Sequence, residues 1–367
     1  MAKFVVACGG TGGHMFPGIA AANALKCRGH EVELYLGARD VERFAARDWD
    51  GPVRRIECEG FSFGVSWRAI RTAFRLLRAA RACRRTLSAA RPDALLAMGG
   101  YASAGPVLAA KRLGIPVALH EANAVPGRAV SFLARFAHVV ALTFADAARH
   151  LPGRRTVAIG LPLRNSLTTD PEPAPQADDG PPLREDGFTV LVMGGSQGAH
   201  RVNETATDAL CRLRERGVPV QAIHLAGLRD ADAVRARYRQ ANVPARVFGF
   251  LAEIGWAYRR ADWAVARAGA ASCMELALFA LPALLIPLPS AARDHQTANA
   301  RAMTALGAAD TESEQDVSPA WLADYLAACH AQPERSAAMR RALEALRIAD
   351  ADERLADLTE QLAPSAD

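Results

Sequence analysis

The chain has 367 residues, half of them hydrophobic and 23% charged, with a formal net charge of +5. That length exceeds what one hydrophobic core usually serves, and the composition excludes a disordered or fibrous chain, so two folded domains are expected. The seven cysteines, Cys8, Cys27, Cys58, Cys83, Cys211, Cys273 and Cys329, are scattered without a Cys-x-x-Cys spacing, which argues against a disulfide framework or a structural zinc site.

In chain order, short apolar runs alternate with helical patterns, the signature of βαβ units around a parallel sheet. Strands are expected near residues 4–7, 31–36, 94–98, 117–120 and 138–142. The first apolar run is too short for a signal-peptide core, so the chain is expected to stay inside the cell. No stretch reaches the roughly 18 apolar residues of a spanning helix, so any membrane contact should be peripheral. The first strand runs into Gly9-Gly10-Thr11-Gly12-Gly13 and then His14, with Pro17 marking a helix start. Glycines at such a turn let a ligand approach the backbone and leave helix amides open to an anion.

Residues 67–92 carry Arg68, Arg71, Arg75, Arg78, Arg81, Arg84, Arg85 and Arg91 with no acidic residue among them. Arg71, Arg75, Arg78 and Arg85 share a helical face, while Ile70, Phe74, Leu76 and Leu77 supply apolar surface. Such a helix suits an anionic membrane or ligand, and equally a solvated surface helix with its stripe in the core. Nucleic acid is not expected, because no recognition motif or interleaved aromatics accompany the charge. Gly99-Gly100-Tyr101 then forms a third glycine turn, and the strand near 117–120 ends in His120-Glu121-Ala122-Asn123.

Residues 168–187, with Pro171, Pro173, Pro175, Pro181 and Pro182, have linker composition. The alternation restarts with strands near 188–193, 221–225, 246–248, 263–267 and 283–287. The first of these runs into Gly194-Gly195-Ser196-Gln197-Gly198, an internal echo of the opening turn. Small residues in Arg267-Ala268-Gly269-Ala270-Ala271-Ser272-Cys273-Met274-Glu275 make room for a ligand. Glu275 could accept hydrogen bonds from two ribose hydroxyls, or simply favour the helix dipole. Gln296 and Asn299, one helical turn apart, could read sugar hydroxyls or be ordinary surface residues. The strings Asp230-Ala231-Asp232 and Asp350-Ala351-Asp352 lie in alanine-rich helical stretches, where a solvated helix start is the better reading than a metal site. The tail from 318 is helical in pattern, and its last segment after 350 can pack on either domain.

A dinucleotide-binding oxidoreductase is the obvious rival, but neither loop reads Gly-x-Gly-x-x-Gly, and the strand ending Leu36-Gly37 offers no carboxylate to a ribose. No Walker pattern occurs either. Three glycine turns on strand ends should line a common crevice, beside which His14 can take the proton of an acceptor hydroxyl or merely bond locally.

Taken together, Gly9-Gly10-Thr11-Gly12-Gly13-His14-x-x-Pro17, Gly99-Gly100-Tyr101-x-Ser103, His120-Glu121-x-Asn123, Gly194-Gly195-Ser196-Gln197-Gly198-Ala199 and the Glu275 segment resemble the MurG family of N-acetylglucosaminyltransferases, in order and spacing. The resemblance implies the α/β GT-B fold, two Rossmann-like parallel-sheet domains facing a cleft. Residues 1–165 would form the acceptor and membrane domain, 166–187 a linker, 188–350 the UDP-sugar domain and 351–367 a C-terminal helix. The implied reaction is inverting, needs no metal or other cofactor, and moves N-acetylglucosamine from UDP-N-acetylglucosamine to the undecaprenyl-linked lipid I. It would yield lipid II for peptidoglycan synthesis on the cytoplasmic face of the plasma membrane, with the Arg-rich 67–91 segment against anionic lipid.

By the same resemblance His14 and Glu121 would be catalytic, and Gly10, Thr11, Gly12, Gly100, Tyr101 and His120 would border the acceptor. Thr11, Gly12, Gly13, Asn123, Arg164, Ser196, Gln197, Leu251, Ala270, Ala271, Ser272, Glu275 and Gln296 would hold the sugar donor. The chain departs from the family pattern at Ala122, where Gln is usual, and at Val130, where Asn is usual. Further departures are Leu161, which replaces the Asn of a Gly-Asn-Pro-x-Arg string, and Ala271-Ser272, which replace Leu-Thr. Each swap alters hydrogen bonding or pocket shape, which can redirect specificity. A related UDP-sugar transferase with another lipid acceptor and a non-catalytic sugar-nucleotide-binding paralogue are therefore the alternatives.

Overall fold

The computed structural model describes residues 1–9, 12–37, 49–56, 67–164, 167, 183–195, 199–289 and 294–364, of which 67–73 are described in backbone alone. The chain divides into two compact units, Met1–Arg164 with Ile348–Asp367, and Asn165–Arg347.

The first unit holds a seven-stranded parallel sheet: β1 (Lys3–Ala7), β2 (Glu31–Leu36), β3 (Val53–Arg55), β4 (Ala94–Ala97), β5 (Val117–Glu121), β6 (Val139–Leu142) and β7 (Thr156–Ala158), in the order β3-β2-β1-β4-β5-β6-β7. Strand alternation splits the core in two. Phe4, Val6 and Cys8 pack with Leu34, Leu96 and Met98 on one face, and Val5 and Ala7 pack with Tyr35, Leu95 and Leu119 on the other. The five strands expected here all form. The two extra ones, β3 and β7, are three-residue edge strands, and β3 reads Val-Arg-Arg with every side chain exposed, so no apolar pattern announces it.

Helix α1 (Gly12–Cys27) covers the first face and α2 (Trp67–Ala90) with α3 (Ala104–Leu113) covers the second. Helix α1 begins at Gly12, so Pro17 lies inside it and not at its start. Proline has no N–H, so it cannot supply the helical bond to the carbonyl of Gly13 four residues back. In α2, Cys83 and Leu87 are buried and Leu76 packs against the core, whereas Phe74 and Leu77 are 65% and 46% exposed. The apolar stripe expected there therefore divides between core and solvent. After β5 comes α4 (Arg128–Leu133).

The C-terminal helix α12 (Ala351–Glu360) belongs to this unit. Leu355, Ala356 and Leu358 join the core beside α1, and Arg28 at the end of α1 takes Glu353, Asp357 at 2.7 Å and Glu360 at 2.8 Å.

The second unit repeats the plan with β8 (Phe188–Met193), β9 (Val220–Leu225), β10 (Ala245–Phe248), β11 (Trp263–Ala266), β12 (Ala283–Leu285) and β13 (Asp310–Thr311), parallel in the order β10-β9-β8-β11-β12-β13. Its helices are α5 (His200–Glu215), α6 (Ala231–Gln240), α7 (Ile254–Arg260), α8 (Ala270–Leu278), α9 (His295–Ala305), α10 (Pro319–Ala331) and α11 (Pro333–Leu346). The five strands expected here form, and the two-residue β13 is added at the edge.

Both sheets reverse direction once. The order turns at β1/β4 in the first and at β8/β11 in the second, and such switch points open a crevice beyond the carboxyl ends of the strands. The segments 9–13, 99–101, 194–198 and 267–270 follow these four strands, which is why the glycine and small-residue turns fall where they do.

Candidate active site

In the first unit, His14 lies in the first turn of α1, past the end of β1. Gly99 and Gly100 turn the chain after β4 with φ of +83° and +68°, a left-handed backbone that favours glycine. A Cβ on Gly100 would stand 3.1 Å from His14 Cδ2 and 3.2 Å from Nε2, so the turn lies close against that edge of the imidazole. A Cβ on Gly99 would meet Val130 Cγ2 at 3.0 Å and the His120 carbonyl at 3.1 Å. The apolar Val130 thus sits at the glycine turn beside His14. Ser103 fixes the turn by donating to the Gly99 carbonyl at 2.7 Å.

His120 is buried at the end of β5, with Nε2 3.4 Å from the Gly160 carbonyl and 3.3 Å from Thr143 Oγ1. Burial pushes its pKa down to about 4, despite the Gly160 contact and with a small further push from nearby His14, so it is neutral at pH 7. Glu121 is also buried. Its Oε1 accepts from the Asn123 backbone N–H at 2.8 Å and side-chain amide at 3.0 Å, and Oε2 accepts from the Gly127 N–H at 3.0 Å. Burial raises its pKa against these bonds. A carboxylate engaged by its own loop shapes the β5–α4 connection and orients Asn123, which is the geometry of a positioning group.

Gly160 leads through Leu161 to Arg164, whose guanidinium lies 5.0 Å from the centre of the Phe16 ring. A Cβ on Gly12 would contact that same ring at 3.3 Å. His14, Gly12, Gly100, His120 and Arg164 are therefore brought to one end of one sheet, with Tyr101 exposed beside them. Gly10 and Thr11 lie outside the described residues.

In the second unit, Gly195 turns the chain after β8 with φ +88°. Ser196 and Gln197 lie outside the described residues. Ala270, Ala271 and Ser272 form the first turn of α8, whose amides point past the end of β11. Glu275, on the next turn, accepts from the Tyr258 hydroxyl at 2.8 Å through Oε2. Leu251 is buried beyond β10, and Phe250 beside it is exposed. Gln296 accepts from the Leu288 N–H at 2.9 Å, which ties the start of α9 to the loop after β12. Asn299 is fully buried and donates to the Ala268 carbonyl at 3.1 Å, so it braces the turn before α8 from inside and does not read a sugar.

The Asp-x-Asp strings lie at the starts of α6 and α12, and their carboxylates meet neighbouring side chains. Asp230 meets Asn203 at 2.8 Å and His200 at 3.1 Å, Asp232 pairs with Arg235 at 2.6 Å, and Asp350 pairs with Arg354 at 2.9 Å.

Sequence reasoning did not single out Thr143, which meets His120, or Tyr258, which meets Glu275. Thr143 directly follows β6, a position that strand-end logic could have marked. Nothing near Tyr258 in sequence points to Glu275.

Comparison with known proteins agrees with this layout. Residues 4–142 match the glycosyltransferase family 28 N-terminal domain, and residues 189–355 match the family 28 C-terminal domain. A curated relative from Aeromonas hydrophila, UDP-N-acetylglucosamine--N-acetylmuramyl-(pentapeptide) pyrophosphoryl-undecaprenol N-acetylglucosamine transferase, is 36% identical over 362 residues, 98% of this chain and 96% of that protein. The protein of the same name from Albidiferax ferrireducens is 37% identical across 95% of this chain and 87% of its own length. Among solved structures, MurG from Acinetobacter baumannii matches with a TM-score of 0.79 at 28% identity, covering 98% of this chain and all of that one.

Proposed function

The chain belongs to the MurG family within glycosyltransferase family 28, and from that premise we propose that it transfers N-acetylglucosamine from UDP-N-acetylglucosamine to lipid I, forming lipid II for peptidoglycan. It is a hexosyltransferase of the GT-B fold. The observation that carries the mechanism is the seating of His14 on the first helix, close against the Gly100 turn at the β1/β4 switch point.

The acceptor hydroxyl gives its proton to the His14 imidazole while its oxygen attacks the anomeric carbon opposite the diphosphate. The bond from that carbon to the phosphate oxygen breaks, and UDP leaves with the electron pair. One displacement inverts the anomeric centre. Neutral His120 adds no charge of its own beside His14, and Glu121 holds the loop that carries Asn123. Charge growing on the leaving diphosphate meets the N-terminal amides of α8, which follow a switch-point strand. These groups can stabilise the leaving group without a metal, and we assign the reaction as metal-independent.

The membrane contact is assigned to α2. Exposed Phe74 and Leu77 stand beside exposed Arg78, Arg81, Arg84 and Arg85, an apolar wedge flanked by positive charge. Each such arginine near an anionic leaflet contributes about 1 kcal/mol. Among the described residues no helix is long and apolar enough to cross a membrane. We assign the reaction to the cytoplasmic membrane face, with the acceptor's lipid tail left in the bilayer.

The test is transfer of labelled N-acetylglucosamine to a lipid I analogue by purified protein. Product should survive excess chelator and fall about 100-fold or more in His14→Ala, the span of general-base catalysis. Sugar-nucleotide binding without product would instead favour the alternative acceptor, with Ala122, Val130 and Leu161 as the reason.

A further inference from the structure

We propose that Tyr258 is a positioning residue for the sugar donor, its hydroxyl holding the Glu275 carboxylate in the orientation that meets the ribose. The proposal rests on the reading that Glu275 takes the ribose diol. Tyr258 is on α7 and its ring is buried. The ring stacks on Phe279 with centroids 5.0 Å apart and planes 5° from parallel, and the Arg259 guanidinium lies 5.7 Å from the Phe279 ring. A ring clamped in this way fixes the direction of its hydroxyl.

That hydroxyl donates to Glu275 Oε2 at 2.8 Å and stands 3.4 Å from Met193 Sδ. Met193 is the last residue of β8, directly before Gly194. One phenol therefore links the two segments assigned to the sugar donor, the turn after β8 and the helix after β11. Glu275 is only half-buried and has three rotatable bonds, so an untethered head group would divide among several rotamers, and binding would have to select one. Each carboxylate oxygen can accept two hydrogen bonds, so the bond from Tyr258 does not exhaust the group. The phenol also adds no charge, so the carboxylate keeps its acceptor strength toward a diol.

The test compares the affinities of UDP and 2′-deoxy-UDP by titration calorimetry, in the unaltered protein, Tyr258→Phe and Glu275→Gln. The preference for UDP should fall in both variants, by roughly tenfold or more in Tyr258→Phe, the effect of one hydrogen bond to a charged group. Binding of the 2′-deoxy compound should change little, which a general loosening of the fold would not produce. If Glu275→Gln loses the preference and a folded Tyr258→Phe keeps it, the positioning role is overturned while the ribose contact stands. If Glu275→Gln keeps the preference, the ribose reading itself is wrong and the positioning role falls with it. Should Tyr258→Phe fail to fold, Phe279→Leu, which frees the ring but keeps the hydroxyl, takes its place with the same two readings.

Discussion

Replacing Gly100 by alanine tests the placement of His14 without touching the imidazole itself. Alanine at φ +68° costs about 1–2 kcal/mol for its left-handed backbone. Its new methyl would stand 3.1 and 3.2 Å from two ring atoms of His14, so the ring must yield by a few tenths of an ångström. A displacement of 1 Å at a reacting group costs about 100-fold, so a few tenths should lower kcat by roughly threefold to tenfold. Gly114 supplies the control: it has φ +72°, and nothing lies within 4 Å of its missing Cβ. Gly114→Ala should lose the same stability in thermal melts and keep its turnover with lipid I analogue and UDP-N-acetylglucosamine. Equal turnover in the two variants would refute a catalytic His14 seated on that turn.

Acid should weaken the fold through its buried histidines. His120 and His224 have pKa values pushed down by burial to about 4 and about 3, so in the folded state both stay neutral where the unfolded chain takes up protons near its ordinary value. Their stabilisation is complete above about pH 6.5 and is lost as pH falls toward 4 for His120 and toward 3 for His224, at about 2 kcal/mol for each between pH 7 and 5. Urea unfolding of His224→Gln should lose about 2 kcal/mol less over that interval than the unaltered protein, and an equal loss would contradict the neutral ring. At the membrane, Phe74→Glu with Leu77→Glu should abolish sedimentation with anionic vesicles while leaving UDP binding intact. Unchanged sedimentation would remove α2 as the docking surface.

The sheets were legible because interior parallel strands are continuous apolar runs, such as the buried Phe188–Met193, whose type and place follow from burial alone. The short edge strands β3, β7 and β13 were not, because two or three residues, such as the exposed three of β3, carry no pattern. The helix start at Gly12 was obscured by Pro17, which normally marks a first turn. Motif turns were legible because glycine at strand ends has a backbone reason. Their arrangement around two switch points needed the strand order. The roles of Glu121, Asn299 and Tyr258 were illegible for one shared cause. Each is decided by which polar atoms meet inside the fold, and Asn299 bonds 31 positions away in sequence, Tyr258 17. The α12 helix is placed by burying Leu355, Ala356 and Leu358 beside α1 and by its pairs with Arg28, contacts more than 300 positions apart that no local window contains.

The most direct measurement is the stereochemistry of the product formed when the purified protein meets UDP-N-acetylglucosamine and a lipid I analogue. Proton NMR of the new anomeric centre should show a single β linkage on the acceptor, made with one UDP released for each sugar transferred. An α linkage would contradict single displacement with His14 as base, and release of free N-acetylglucosamine with no acceptor product would contradict the lipid acceptor itself.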